Sequence, residues 1–324
     1  MSASASESGA AAATRDAREI TIDLPYMSLA AKDWPGSDVA GASVTPILAL
    51  HGWLDNAASF DRLAQLLPVD RRMVALDLPG HGLSDHRPAG VYTYFLDYVP
   101  VIFDVADALG WERFVLLGHS MGAGIGVLAA GTLPERIPQL ILIDGMGPLT
   151  EEDAGAPARF RSFLQARAAT ETKSVRSPTA NAASPAANSG GGSVYPGVEQ
   201  AVRARRLVGG ISDASARLLV ERNLTQRLTT DGAPDGFIWR TDARLKLPSP
   251  LRMTESQVRA FLKQIAAPTL LIGATDSEFA AYENLIQARA SQIPELTTRK
   301  LTGGHHLHME NPEPVAAAIA EFLG

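Results

Sequence analysis

The sequence contains no cysteine, which excludes disulfide scaffolds, thiolate metal sites and cysteine nucleophiles. Aromatic residues make up only 6% of the 324 residues, so they give little basis for predicting the shape of a pocket. Cationic residues are the minority among the charges, with 29 Lys and Arg against 35 Asp and Glu and a net charge of −6. Because nucleic-acid binders are commonly basic, no nucleic-acid partner is expected.

Long hydrophobic runs are also missing. No window of about 18 consecutive apolar residues occurs, so no membrane span is predicted. The first residues, MSASASESGAAAATRDARE, lack the basic and apolar regions of a secretory signal. We expect residues 1–18 to form a disordered tail, because Ser, Ala and Gly bury too little surface to fold. A cytoplasmic location is expected, and a cysteine-free chain fits it.

Apolar runs alternate with helical periods along most of the chain. Runs that are apolar at nearly every position are typical of strands buried on both faces of a parallel sheet. They occur at residues 46–50, 72–78, 114–118, 139–143 and 269–273. Residues 20–24 and 27–31 resemble an opening antiparallel pair, and helical periods cover 59–67, 94–109, 121–133 and 312–323. The alternation predicts an α/β fold with a doubly wound, mostly parallel sheet.

The alternation stops between residues 148 and 262, which have a helical composition without buried strands. Residues 150–262 contain 16 Lys and Arg and 11 Asp and Glu, a net of +5, whereas the remainder has a net of −11. We interpret residues 148–262 as a helical cap inserted into a core made of 19–147 and 263–324. Within this cap, residues 170–197 are of low complexity and predict a mobile loop.

One short motif indicates nucleophilic catalysis. Gly118, His119, Ser120, Met121 and Gly122 match G-x-S-x-G directly after a predicted strand and at the start of a small-residue helix. This is the context of a nucleophile elbow, in which the serine occupies a strained turn. The two glycines leave room for neighbouring backbone, and the helix N-terminus offers N–H groups to an oxyanion.

A second element of the site follows the predicted strand 46–50, which ends in His51, Gly52 and Trp53. In this architecture the loop after that strand supplies a second oxyanion donor. We therefore assign the oxyanion hole to the backbone N–H groups of Trp53 and Met121, although Trp53 can also line the pocket. His51 is interpreted as a structural residue of the loop.

The general base is expected among three histidines near the end of the chain. A serine hydroxyl needs a neighbour that accepts its proton, and histidine is suited to this near neutral pH. His305 directly follows two glycines, in a turn that would bring it over the sheet edge, whereas His306 and His308 are interpreted as pocket or loop residues. Since no second histidine pair or acidic ligand set accompanies them, no metal is expected, and the chemistry requires no cofactor.

Two aspartates compete for the role of the acid that orients the histidine. Asp144 ends the predicted strand 139–143, at the sheet edge where ligands bind in open α/β folds. Asp276 lies in the loop after strand 269–273. Both follow the serine and precede the histidine, in the order of a Ser-Asp-His triad. Spacing alone leaves both open.

With these residues identified, the chain resembles the α/β-hydrolases over residues 20–324, apart from the low-complexity loop. More narrowly it resembles the serine hydrolase-like protein family, in HGWLDNAASFDRL (51–63), GHGLSDH (80–86), LLGHSMG (116–122), LILID (140–144) and GGHHLHM (303–309). The family's H-x-x-H pattern implies that His305 is the catalytic histidine and His308 its second member, with His306 at a variable position. The resemblance favours Asp144 as the acid, and Asp276 remains the alternative.

The expected function is hydrolysis of a small-molecule carboxylic ester through an acyl-enzyme intermediate. A serine at the elbow argues against dehalogenases and epoxide hydrolases, which place an aspartate there. Three alternatives remain open: a carbon–carbon bond hydrolase, a cofactor-free perhydrolase, and a non-catalytic ligand-binding protein on the same scaffold. The sequence leaves the natural substrate and the oligomeric state undetermined.

Overall fold

The computed structural model describes residues 15–36, 44–175, 193–229 and 231–324, with the side chains of 171–175 and 279–280 excepted. Of the predicted tail, residues 1–14 lie outside this range, but the rest is ordered. Arg15 is buried, and its guanidinium donates to the carbonyls of Trp34, at 3.1 Å, and Arg71, at 2.6 Å. Residues 15–18 therefore do not belong to a disordered tail, because Arg15 is held by hydrogen bonds to carbonyl groups at the end of a strand.

An eight-stranded sheet forms the centre of the molecule, in the order β1-β2-β4-β3-β5-β6-β9-β10. Strands β1 and β2 are antiparallel, β2 is antiparallel to β4, and the remaining neighbours are parallel, which confirms the predicted sheet. Its strands are β1 (Arg18–Leu24), β2 (Met27–Trp34), β3 (Ile47–Leu50), β4 (Met73–Leu76), β5 (Val115–His119), β6 (Leu140–Ile143), β9 (Thr269–Ala274) and β10 (Leu296–Leu301).

Helices cover both faces of this sheet. Helices α2, α3 and α7 contribute to the hydrophobic core on one face, and α1 and α10 to the core on the other. Strands β3 to β6 are buried at every position, which explains their continuous apolar runs. The helices are α1 (Asp61–Leu66), α2 (Tyr98–Ala108), α3 (Met121–Thr132), α4 (Ala156–Val175), α5 (Val198–Gly209), α6 (Asp213–Asn223), α7 (Glu255–Leu262), α8 (Glu283–Ala290), α9 (Leu307–Glu310) and α10 (Pro312–Leu323).

The segment between β6 and β9 is not purely helical. It contains α4 to α7, and it also contains a two-stranded antiparallel sheet of β7 (Leu224–Leu228) and β8 (Pro234–Trp239). These strands are partly exposed and therefore lack the apolar runs of the central sheet. Of the predicted mobile loop at 170–197, residues 170–175 belong to α4, 193–197 lead into α5, and 176–192 lie outside the described residues.

Two arginines of this segment form ion pairs with the central sheet and the loops that follow its strands. Arg222 of α6 contacts buried Asp77, after β4, at 2.9 Å, and also Glu19 of β1 at 2.7 Å. Arg205 of α5 contacts buried Asp55, in the loop after β3, at 2.6 Å. Among the helices in the described part of the chain, none combines the length and the apolar character that a membrane crossing needs.

Candidate active site

Ser120 lies at the carboxyl end of β5, in the sharp turn that leads into α3. Its φ of 52° and ψ of −109° are uncommon for a residue with a side chain, as a nucleophile elbow requires. The flanking glycines are required by close backbone approach. A Cβ on Gly122 would lie 2.1 Å from the Leu50 carbonyl oxygen, and one on Gly118 would lie 2.3 Å from the Gly122 carbonyl oxygen.

His305 lies between the serine and an aspartate. Its loop follows β10, and its Nε2 is 2.9 Å from the Ser120 Oγ. Its Nδ1 is 2.6 Å from Oδ2 of Asp144, which directly follows β6. The three side chains come from the loops after three different strands, which end at one edge because the strands are parallel. This chain of contacts can move a proton from the serine hydroxyl to the imidazole.

Asp144, and not Asp276, provides the carboxylate beside His305. Asp144 is buried, with 5% of its surface exposed. Its oxygens accept hydrogen bonds from the Ala274 N–H at 3.1 Å and the Ser277 hydroxyl at 2.5 Å. The Asp276 carboxylate is exposed, and within the described residues it makes no hydrogen bond or ion pair with His305. Its backbone N–H donates to the Gly303 carbonyl at 2.9 Å, which ties the two loops together.

The two predicted oxyanion donors both line the cavity above Ser120. Met121 is the first residue of α3, where a backbone N–H has no partner within the helix. Trp53 is 54% exposed, and its indole N–H donates to the Leu245 carbonyl at 3.0 Å. This bond links the loop after β3 to the segment that precedes α7.

His51 stabilises the loop that carries Trp53. Its Nε2 accepts the Leu78 N–H at 3.0 Å, so Nδ1 carries the proton and donates to the Gly52 carbonyl at 2.7 Å. Burial lowers the pKa of His51 to about 4, so the ring stays neutral near pH 7. A Cβ on Gly52 would lie 2.9 Å from Nδ1 of His119, which explains why a glycine precedes Trp53.

His119 contacts the backbone of the loop that carries His305. It is buried, and its Nε2–H donates to the carbonyl of His305 at 2.9 Å. Burial, together with the neighbouring rings of His308 and His305, keeps the pKa of His119 well below its ordinary value. The ring is therefore neutral, with its proton on the nitrogen that faces the carbonyl.

Asp55 is a buried carboxylate that the sequence did not single out. It lies 2.6 Å from Arg205 and 3.3 Å from Nε2 of His306. Burial alone would raise the pKa of Asp55, but His306 and Arg205 hold it well below its ordinary value. Asp55 therefore joins α5 to the loop that carries His305, a link that no local pattern around residue 55 predicts.

The remaining histidine of the cluster has a structural environment. His308 is buried against Phe60 and His119, and neither of its ring nitrogens has a hydrogen-bond partner among the described residues. Within the described residues no group of histidine, aspartate or glutamate side chains has an arrangement that could hold a metal ion.

The site opens into a cavity of about 1270 Å³, which is larger than many small-molecule pockets. The central sheet and the segment between β6 and β9 both contribute to its wall. The apolar residues that line it include Met121, Met146, Leu149, Leu247 and Leu251. The cavity can therefore accommodate a substrate with an extended apolar part.

Comparisons with known proteins extend over nearly the whole chain. The model of the alpha/beta hydrolase fold family matches residues 45–312. A serine hydrolase-like protein of Danio rerio is 32% identical over 315 residues, which cover 95% of this chain and 89% of that protein. The human serine hydrolase-like protein 2 is 31% identical over 324 aligned residues, which cover 94% of this chain and 93% of that protein. A hypothetical protein from Pseudomonas aeruginosa, known from a crystal structure, is 42% identical in sequence and matches with a TM-score of 0.81. The match covers 94% of this chain and 98% of that one.

Proposed function

The chain belongs to the α/β-hydrolase family, among the serine hydrolase-like proteins, and we propose that it hydrolyses carboxylic esters through a Ser-His-Asp triad. The observation that carries this proposal is the position of His305, with one ring nitrogen 2.9 Å from the Ser120 hydroxyl and the other 2.6 Å from the Asp144 carboxylate. This arrangement provides a nucleophile, its base and the group that orients the base.

In the first half of the reaction, Ser120 Oγ attacks the ester carbonyl carbon and its proton moves to His305 Nε2. The N–H groups of Trp53 and Met121 bind the oxyanion that forms, and a single such donor is worth about 3 kcal/mol in comparable sites. The tetrahedral intermediate then collapses, and the leaving alkoxide takes the proton from His305. Asp144 accepts the Nδ1–H throughout and stabilises the imidazolium.

In the second half, water attacks the acyl-enzyme carbonyl and gives its proton to His305 Nε2. The bond to Ser120 Oγ breaks, Oγ recovers the proton, and the carboxylic acid leaves. All atoms and protons balance without a cofactor. We propose that residues 148–262 act as a cap over this reaction, since Arg205, Leu247 and Leu251 of this segment line the same cavity as Ser120.

The proposal is tested by labelling the protein with a fluorophosphonate and mapping the labelled peptide. We expect the label on Ser120, and its loss, together with ester hydrolysis, in Ser120→Ala. The control Ser291→Ala removes an exposed hydroxyl and should retain both. A folded protein that takes no label would contradict the proposal and favour a ligand-binding role.

If Ser120 is labelled but no ester is hydrolysed, Ser120 is still a nucleophile but the reaction is a different one. Peroxide-dependent halogenation with an acyl donor would then indicate a perhydrolase. Turnover of a carbon–carbon bond substrate would indicate the other alternative on the same triad.

A further inference from the structure

The charged side chains around the cavity are not equivalent. Within the described residues, four arginines line it, and three of them are closely paired with a carboxylate. These pairs are Arg205 with Asp55 at 2.6 Å, Arg244 with Asp242 at 2.6 Å and Arg289 with Glu255 at 2.7 Å. Their charges are compensated within the protein, so they contribute little net attraction for an anionic ligand.

Arg252 is the fourth arginine, and it has no such partner. It lies in the loop just before α7 and is partly buried. Among the residues whose side chains the structure describes, none makes a hydrogen bond or an ion pair within 4.0 Å with its guanidinium. A partly buried cation without a carboxylate loses hydration and gains no ion pair in return, so it favours an anion that binds beside it.

The charges around Arg252 do not compensate it. The side chains that act electrostatically on Arg252 are Arg159, Glu151 and the phenol of Tyr282. Glu151 already accepts a hydrogen bond from Arg159 at 2.5 Å. Burial lowers the pKa of Arg252, Arg159 lowers it further, and Glu151 opposes both. Two arginines and one glutamate leave a local excess of one positive charge at the cavity wall.

The other uncompensated charges on the lining are exposed to water. They are Lys246, Asp276 and Glu278, and water screens their interactions with a ligand more strongly than those of a partly buried group. Arg252 is thus the cation best placed to select a ligand. Its planar guanidinium also matches the two oxygens of a carboxylate.

We propose that Arg252 binds a carboxylate on the substrate, so that the enzyme acts on half-esters of dicarboxylic acids. The ester carbonyl lies at Ser120 and the free carboxylate at Arg252. Apolar side chains such as Met146, Leu149 and Leu251 line the same cavity, so the chain between the two ends is a hydrocarbon. This assignment rests on the ester hydrolysis proposed above and narrows its substrate class.

The test compares two series of p-nitrophenyl esters of equal chain length, one ending in a methyl group and one in a carboxylate. In the wild-type protein, kcat/KM for the carboxylate series should exceed that for the methyl series by about tenfold or more at the best length, as a charge-assisted pair provides. Arg252→Gln should abolish this preference, so that the ratio of kcat/KM between the two series falls to about one. Arg203→Gln, an exposed arginine outside the cavity lining, should retain it.

Equal losses for both series in Arg252→Gln, or no preference in the wild type at any length, would overturn the proposal. If the variant does not fold, inhibition of the wild type decides. The methyl ketone 8-oxononanoate, which ends in a carboxylate, should compete with a neutral ester at least about tenfold better than the uncharged 2-nonanone at low salt, and less so at high salt; equal inhibition by the two ketones refutes the role of Arg252. If the protein hydrolyses the methyl-terminated series and shows no preference for the carboxylate series, only the role of Arg252 is refuted. If it hydrolyses neither series, the proposed ester hydrolysis is refuted as well.

Discussion

At the scale of single residues, the site depends on side chains held by backbone geometry. Ser120 and Asp144 both have positive φ, 52° and 46°, and both come directly after a central strand. A Cβ on Gly145 would lie 2.8 Å from the Ser120 carbonyl oxygen, so the two turns pack against each other. The buried strands that precede both residues, β5 and β6, hold these backbone conformations in place.

The identity of the acid can be tested with two matched substitutions. Asp144→Asn should lower kcat by about 10⁴-fold, because the amide favours the wrong imidazole tautomer. Asp276→Asn, which changes an exposed carboxylate, should alter kcat by less than a factor of about three. The measurement is steady-state hydrolysis of one p-nitrophenyl ester by both variants. Equal and modest losses in the two would exclude both roles.

At the scale of the elements, α5 and α6 are held on the sheet by arginines that reach buried carboxylates. Asp77 is fully buried, and besides Arg222 it accepts the N–H groups of Ala57, at 2.7 Å, and Leu83, at 2.8 Å. The carboxylate thus connects the loops after β3 and β4 to α6. Removing its arginine would leave a buried charge with backbone donors alone.

We therefore expect Arg222→Ala to lower the free energy of unfolding by about 3 kcal/mol or more. Arg217→Ala is the control on the same helix. Its partner Glu199 is 2.6 Å away, but both side chains are exposed, so water screens the pair and the loss should be much smaller than for Arg222→Ala. Urea denaturation measures both values, and similar losses for the two variants would show that Asp77 does not depend on Arg222.

At the scale of the whole molecule, several buried histidines are kept neutral. Burial lowers the pKa of His51 to about 4 and the pKa values of His81 and His308 to about 3. In the unfolded chain each would titrate near 6.5. Below that pH the unfolded state binds protons that the folded state does not bind. The stabilisation is therefore complete above about pH 6.5 and decreases as the pH falls toward 4.

The expected result is a melting temperature that is stable above pH 7 and falls steeply between pH 6.5 and 4.5. His308→Leu should reduce this dependence by up to about 1.4 kcal/mol per pH unit, because one proton-binding site of the unfolded chain is lost. It should cost little at pH 7.5, because neither ring nitrogen of His308 has a partner to lose. Thermal denaturation of the two proteins at pH 7.5, 6.0 and 5.0 tests this, and parallel curves would contradict it.

Secondary structure and the sharp turn at Ser120 were predictable because their signals are local. The apolar run at 269–273 corresponds to β9 (Thr269–Ala274), and the helical period at 121–133 to α3 (Met121–Thr132). A strand buried on both faces must be apolar at each position, and a sharp turn beneath a serine must have glycine neighbours. Both requirements concern residues within about ten positions of each other, so they can be recognised in the sequence alone.

The side chains that contact His305 and His306 could be identified only from the tertiary structure. Asp144 and Asp276 both follow parallel strands that end at the same sheet edge, and only the three-dimensional course of their loops determines which carboxylate reaches His305. Asp55 meets His306 across about 250 positions of sequence, a contact that no local pattern expresses.

The same holds for charge. The sequence shows that residues 150–262 are rich in arginine, but it does not show which arginines are paired. Pairing depends on where α5, α7 and α8 lie over the sheet. Arg205 and Arg289 each have a carboxylate partner, whereas Arg252 has none among the side chains that the structure describes. Local sequence thus determined the fold and the turn that carries Ser120, because steric and hydrophobic requirements act along the chain. Tertiary structure decided which carboxylate contacts His305, which buried side chains pair and which charges face the cavity, because these depend on distances between separate elements.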